Sequence, residues 1–300
     1  MSDLGQMNQD SSVISKSMQD DRILPLTRWV AALVVPVLLL AFLILFFLPS
    51  ETGTRFAWQI KPPMMAALMG AGYLGGAYFF ARVATGRQWH RIAAGFPAVT
   101  TFTWFMLAAT VLHWDRFNHG RLGFQVWLIL YIITPLLVPW LWFRNRATDR
   151  KTIEPGELPI PLLIRWLPTL AGTLFLTAAA SFFLWPSLAI NIWPWTLSPL
   201  TARVLAGWLA LMGAGSIAIS RERRWSAWRI EVESIILWQT LVLVAAMWNQ
   251  ADFSNPLNWY LVATVAGWLG TVVIYATLEM RRRAQLNRLQ SRAATPVPPG

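Results

Sequence analysis

The chain has 300 residues, of which 56% are hydrophobic and 13% charged, about half the charged share of an ordinary soluble domain. It carries a net charge of +11 and has no cysteine, which excludes disulfides, thiolate metal centres and cysteine nucleophiles. The excess charge lies in short loops between apolar runs, where membrane topology and anionic headgroups account for it, so no nucleic-acid partner is expected.

Residues 1–26 are polar, rich in Ser, Asp, Gln and Met, and read as a disordered tail. Trp29 to Leu48 is a stretch of 20 residues without a charge, the length a helix needs to cross the hydrocarbon core. It is too long for a signal-peptide core and is expected to remain as an anchor. Comparable runs cover about 63–81, 96–114, 123–143, 166–186, 199–220, 232–250 and 257–278. Each must satisfy its own backbone in lipid and therefore reads as a helix, giving eight spans. Pro36, Pro97, Pro135, Pro139 and Pro168 fall in or near them, where kinks are expected. Residues 281–300 form a basic, then Pro-rich tail whose first part extends the last helix.

Of the 25 Lys and Arg, 20 lie in the two tails and in alternate loops, and five (Arg55, Lys61, Arg116, Arg121, Arg203) lie in the others. The positive-inside rule then puts both termini in the cytoplasm, in keeping with an even number of spans.

The spans also repeat. At an offset of 137 residues Arg28-Trp29 falls on Arg165-Trp166, Trp58 on Trp195, Pro62 on Pro199, Gly70 on Gly207, Gly76 on Gly213 and Asp115 on Asp252. The expected fold is an all-α integral membrane protein of eight transmembrane helices, built as two tandem parallel four-helix repeats. Repeat one covers 27–144, a polar cytoplasmic linker 145–164, and repeat two 165–280. The second span of each repeat is rich in glycine: Gly72 and Gly76 in one, Gly207 and Gly213 in the other. Small residues let helix backbones approach closely in lipid. These two spans are expected at the centre, against each other; a homodimer seam or contact with a membrane-protein partner is the alternative use of the glycines.

Polar detail collects on the expected outer face. Trp58, Lys61, His113, Asp115 and Arg116 of repeat one and Trp195, Arg203 and Asp252 of repeat two are the candidate ligand-binding residues there. An aromatic belt at the headgroup level competes with a recognition vestibule as the account of the tryptophans. The cluster His113-x-Asp115-Arg116-x-x-His119 matches no metal-site spacing, and a loop salt bridge is its expected role. The histidines are also misplaced for haem, so neither metal nor cofactor is expected. Ionisable groups deep in the spans look nearly absent: Glu231, Glu233 and Glu279 are assigned to helix ends, neutralised by neighbouring arginines. Gln239 and Thr103, near matching positions in the two repeats, are expected to bond between helices. No catalytic motif appears, and no catalytic residue is assigned.

The segments Trp193-Pro-Trp-Thr-Leu-Ser-Pro-Leu-Thr-Ala-Arg203, Trp58-Gln-Ile-Lys-Pro-Pro-Met and His113-Trp-Asp-Arg-Phe resemble those of an uncharacterised family of bacterial multi-spanning membrane proteins. The resemblance extends over most of both repeats. It implies a setting in the bacterial inner membrane, with the lipid bilayer as the constant partner, and adds no activity or site residue. The leading functional expectation is a non-enzymatic component, structural or binding apolar or lipid-like molecules. A transporter of a small neutral or lipophilic solute comes second, and an enzyme acting on lipid headgroups through His113 and Asp115 third.

Overall fold

The computed structural model describes residues 20–149, 151–153, 156–255 and 258–294. Among them, eight helices are long and apolar enough to cross a membrane: α1 (Pro25–Phe47), α2 (Pro63–Thr85), α3 (Gly95–Leu112), α4 (Leu122–Asn145), α5 (Leu162–Leu184), α6 (Pro199–Ser220), α7 (Trp225–Trp248) and α8 (Trp259–Ala294). The chain is thus a polytopic, all-helical membrane protein. Of the expected tails, residues 1–19 and 295–300 lie outside the described residues. Residues 21–24 are tied into the bundle, and α8 runs unbroken to Ala294.

Helix starts follow from local chemistry. Proline opens α1, α2 and α6, because the first helical position needs no N–H and suits its fixed φ. Ser198 caps α6 through a reciprocal capping box with Thr201, satisfying donors that a helix start otherwise leaves orphaned. The start of α2 has no such cap of its own. Its Met64 N–H donates instead to Asp252 Oδ2, 2.7 Å away on the loop after α7.

α2 and α6 are the most buried helices, and α1, α4, α5 and α8 the outer ones. α1 lies along α2 and α5 along α6, while α3 packs on α6 and α7 on α2. Glycine makes these seams. A Cβ at Gly70 would meet the Phe46 backbone of α1, one at Gly75 the Ser234 carbonyl of α7, and one at Gly213 the backbone of Leu176 and Gly172 in α5. One at Gly207 would press on Met106 and Phe105 of α3. The two central helices therefore do not share the long seam expected of them. They meet where the Trp208 indole lies over Gly72, because their other glycine surfaces are occupied by α1, α3, α5 and α7.

Two sets of bonds at the end carrying both termini have the same form. Ile23 N–H donates to the Arg87 carbonyl (3.1 Å) and Ile160 N–H to that of Arg223 (2.8 Å). Arg28 Nε donates to the Ala84 carbonyl (2.8 Å), and Arg165 Nε to that of Ser220 (2.7 Å). Each segment entering an outer helix is thereby held to the loop that leaves its central helix.

Candidate functional site

At the end of the bundle away from the termini, Trp58 and Trp195 are 3% and 1% exposed, too buried for either to meet a ligand on the surface. Trp58 packs edge-on to Phe117 and Trp127, and Trp195 edge-on to Phe253 and Tyr260. They are packed keystones beneath the loops, with the offset and edge-to-face geometry aromatic rings prefer. Their indole N–H groups find no partner among the described residues.

Charged residues at this end do not pair as expected. Asp115, Arg116 and Lys61 are exposed, and among the described residues neither Asp115 nor Asp252 forms an ion pair. Asp252 is committed to the α2 start. Arg203 donates through Nη1 to His113 Nε2 (2.8 Å) and through Nε to the Phe183 carbonyl (3.0 Å). Because arginine has no acceptor, His113 accepts with an unprotonated Nε2. Partial burial, then the charges of Arg203 and Arg116, hold its pKa below the ordinary histidine value. The expected loop salt bridge is replaced by a cation resting on a neutral imidazole.

At the opposite end, His90 Nδ1 bonds to Asp21 Oδ2 and its Nε2 lies 2.9 Å from Ser226 Oγ. The row resembles an acid–base–nucleophile triad in outline. However, Ser226 Oγ already donates to Glu157 Oε2 (2.6 Å), so its proton is engaged and it is not poised as a nucleophile. The arrangement instead laces the N-terminal segment, the α2–α3 loop, the linker and the α7 start together. Beside it Arg224 is buried and held by Asp149 (2.8 and 2.9 Å) and Glu222. Burial alone would lower the Arg224 pKa, but the bonds from Asp149 and Glu222 outweigh it and hold the guanidinium charged. Burial would raise the Asp149 pKa, and the Arg224 and Lys151 bonds lower it overall.

The feature with the most distinctive chemistry lies between the helices. A cavity of about 530 Å³ is walled by α1, α2, α3, α4, α6 and α7, within the range of small-molecule pockets. Its lining is overwhelmingly apolar, with Val34, Leu38, Phe80, Val99 and Leu130 among it. Three buried polar atoms of its wall residues have no hydrogen-bond partner among the described residues: Glu231 Oε1, Trp208 Nε1 and Trp238 Nε1. Most other polar groups in the wall are already engaged. Ser234 donates to the Gly75 carbonyl (2.8 Å), Thr103 to Thr100 (3.0 Å), Thr134 to Leu130 (2.7 Å), and the Tyr73 and Tyr131 hydroxyls bond to each other (3.0 Å).

Glu231 is the residue the sequence reading misplaced. It sits six residues inside α7, not at a neutralised end, and no cation pairs with it among the described residues. Gly95, at the start of α3, makes the space: a methyl there would collide with the Glu231 carboxyl and the Phe79 ring. Glu233, by contrast, is held by Arg229, Tyr78 and Tyr275, and Glu279 by Arg282 and Trp225. The signal was present as helical spacing, since Glu231, Ser234, Ile235 and Trp238 fall on one face of α7 and all line the cavity. The bond expected between helices from Thr103 goes instead to its own helix. Gln239, expected to bond likewise, leaves its Oε1 unpartnered.

No group of histidine, aspartate and glutamate among the described residues has the arrangement of a metal site. No family model, no curated protein and no solved structure matches the chain, so the resemblance drawn from its loop segments stays a resemblance.

Proposed function

We propose that this protein is a non-enzymatic membrane component that holds an apolar, lipid-like molecule within its own helices. The carrying observation is the cavity of about 530 Å³ whose hydrophobic wall contains unpartnered Glu231, Trp208 and Trp238 polar atoms. Buried polar groups in native proteins are nearly always satisfied, and these three, unlike the unpartnered tryptophans packed beneath the loops, belong to residues lining a space large enough for an occupant. A lipid-like molecule meets both demands, offering apolar surface to the wall and polar atoms to these three.

The reading includes a duplicated architecture of two parallel four-helix repeats with both termini in the cytoplasm of a bacterial cell. The paired bonds of Ile23 and Ile160, and of Arg28 and Arg165, support the duplication; the distribution of Lys and Arg supports the orientation. In this reading the cavity lies between the repeats. The outer-face candidates Lys61, Asp115 and Arg116 are solvent-facing residues of the loops above it, while Asp252, His113 and Arg203 brace one repeat against the other. The glycines at 72, 76, 207 and 213 serve packing within one chain, and a homodimer is not needed to explain them.

A photoreactive diazirine lipid, activated in membranes containing the protein and mapped by peptide mass spectrometry, tests this. Adducts are expected on cavity-lining segments of α2, α6 and α7. Labelling confined to the lipid-facing surfaces of α1, α4, α5 and α8 would overturn the reading.

A further inference from the structure

The cavity is asymmetric in its chemistry, and the asymmetry specifies an occupant. Among the described residues, its wall holds one carboxyl with an unpartnered oxygen, at Glu231, and no cation. An ionised carboxylate in an apolar, membrane-enclosed space is strongly unfavourable unless a positive charge or several hydrogen bonds compensate it. The Glu231 carboxyl packs against Gly95, beside the Phe79 ring. The arginine nearest in sequence, Arg229, is spent on Glu233 (2.9 Å). Toward the middle of the bundle the cavity is bordered by Trp208 and Trp238, whose rings pack against each other, tilted by 52° at 5.3 Å between centroids. Together they offer an apolar surface to a chain lying in the cavity.

Resting on the cavity reading above, we propose that the occupant is a cationic amphiphile, a lipophilic amine whose ammonium group pairs with Glu231 and whose hydrocarbon chain runs along the apolar wall past Trp208 and Trp238. The ammonium supplies the missing positive charge and the donor for Glu231 Oε1, in an environment where a charge-assisted bond is at its strongest. The chain fills the apolar remainder, and Ser234, one turn from Glu231 on the same face of α7, keeps its bond to Gly75 and so does not compete.

The test uses the full-length purified protein in nanodiscs of zwitterionic lipid, titrated with dodecylamine and with dodecanol. Dodecylamine is expected to bind at one site at least tenfold more tightly than dodecanol, and Glu231→Gln to abolish that preference while keeping the wild-type helix content by circular dichroism. Glu231→Asp, which keeps the charge, is expected to retain part of it. Equal binding of amine and alcohol, unaltered by Glu231→Gln, would overturn the amine proposal while leaving the cavity reading in place. If neither binds, or if Gly76→Met, which projects a side chain into the cavity, leaves the binding of both unchanged, the cavity reading itself falls with it.

Discussion

Asp115 and Asp252 occupy matching positions in the sequence, yet their surroundings give them different work. Asp252 accepts from the Met64 N–H at 2.7 Å and acts as the missing cap of α2. Its replacement by alanine is expected to cost about 1 kcal/mol, with asparagine retaining most of that, as for other helix caps. Asp115 is exposed and unpaired, so Asp115→Ala is expected to leave thermal stability unchanged within error. Thermal unfolding of the three variants in detergent checks both expectations. The difference was hidden in the sequence because it depends on Ser198: α6 caps itself, and the corresponding position before α2 is Lys61. His113 yields a second test. Its pKa lies below the ordinary value in the folded protein, so the unfolded chain binds more protons as pH falls below about 6.5. The contribution is present above that pH and is lost as pH drops through the lower, folded-state pKa. Melting curves from pH 8 to 5 are expected to show this loss, and His113→Gln, which still accepts from Arg203, is expected to flatten it.

At the level of helices, the sequence was most legible where length and apolarity decide. All eight spans were placed by long apolar runs, because a backbone in lipid has few alternatives to the helix. Which helices touch was less legible. The glycines in α2 and α6 announced close packing but not its partner, and the structure distributes them among α1, α3, α5 and α7. That distribution separates two superficially similar substitutions. In Gly213→Ala the added methyl meets backbone atoms of α5, at 2.9 Å from Leu176 N and 3.0 Å from the Gly172 carbonyl, which cannot move aside cheaply. A loss of about 1–3 kcal/mol is expected, as for overpacked cores. In Gly76→Ala the nearest atom is Leu38 Cδ1 at 3.4 Å, so the gain in helix propensity is expected to prevail and the melting temperature not to fall. Parallel thermal scans of the two variants separate the seam from the open wall. Glu231 escaped the sequence reading for a related reason. Proximity to arginines along the chain was taken for proximity in space, whereas a helix turns residues 229 and 233 to one face and 231 to another.

For the molecule as a whole, the cavity can exist because α2 and α6 meet around Trp208, which packs on Gly72 and Tyr73, rather than along a continuous seam, leaving space walled by helices from both ends of the chain and partly open past Leu33, Ile129 and Ile133. Orientation is a separate matter and can be tested directly, since the native chain lacks cysteine. Cysteine placed at exposed Ser187 is expected to react with an impermeant maleimide added to intact cells, and cysteine at exposed Arg223, at the end that carries the termini, only after lysis. The central claim, that this protein holds a lipid-like molecule inside its helical bundle, is tested most directly by native mass spectrometry. The wild-type protein and Gly76→Met would be extracted under the same gentle conditions from the membrane in which each was made. The wild type is expected to carry one lipid-sized adduct that survives mild activation, and Gly76→Met, with its cavity occluded, to lose it while remaining folded. An adduct of the same mass and occupancy in both proteins, or none in either, would contradict the account.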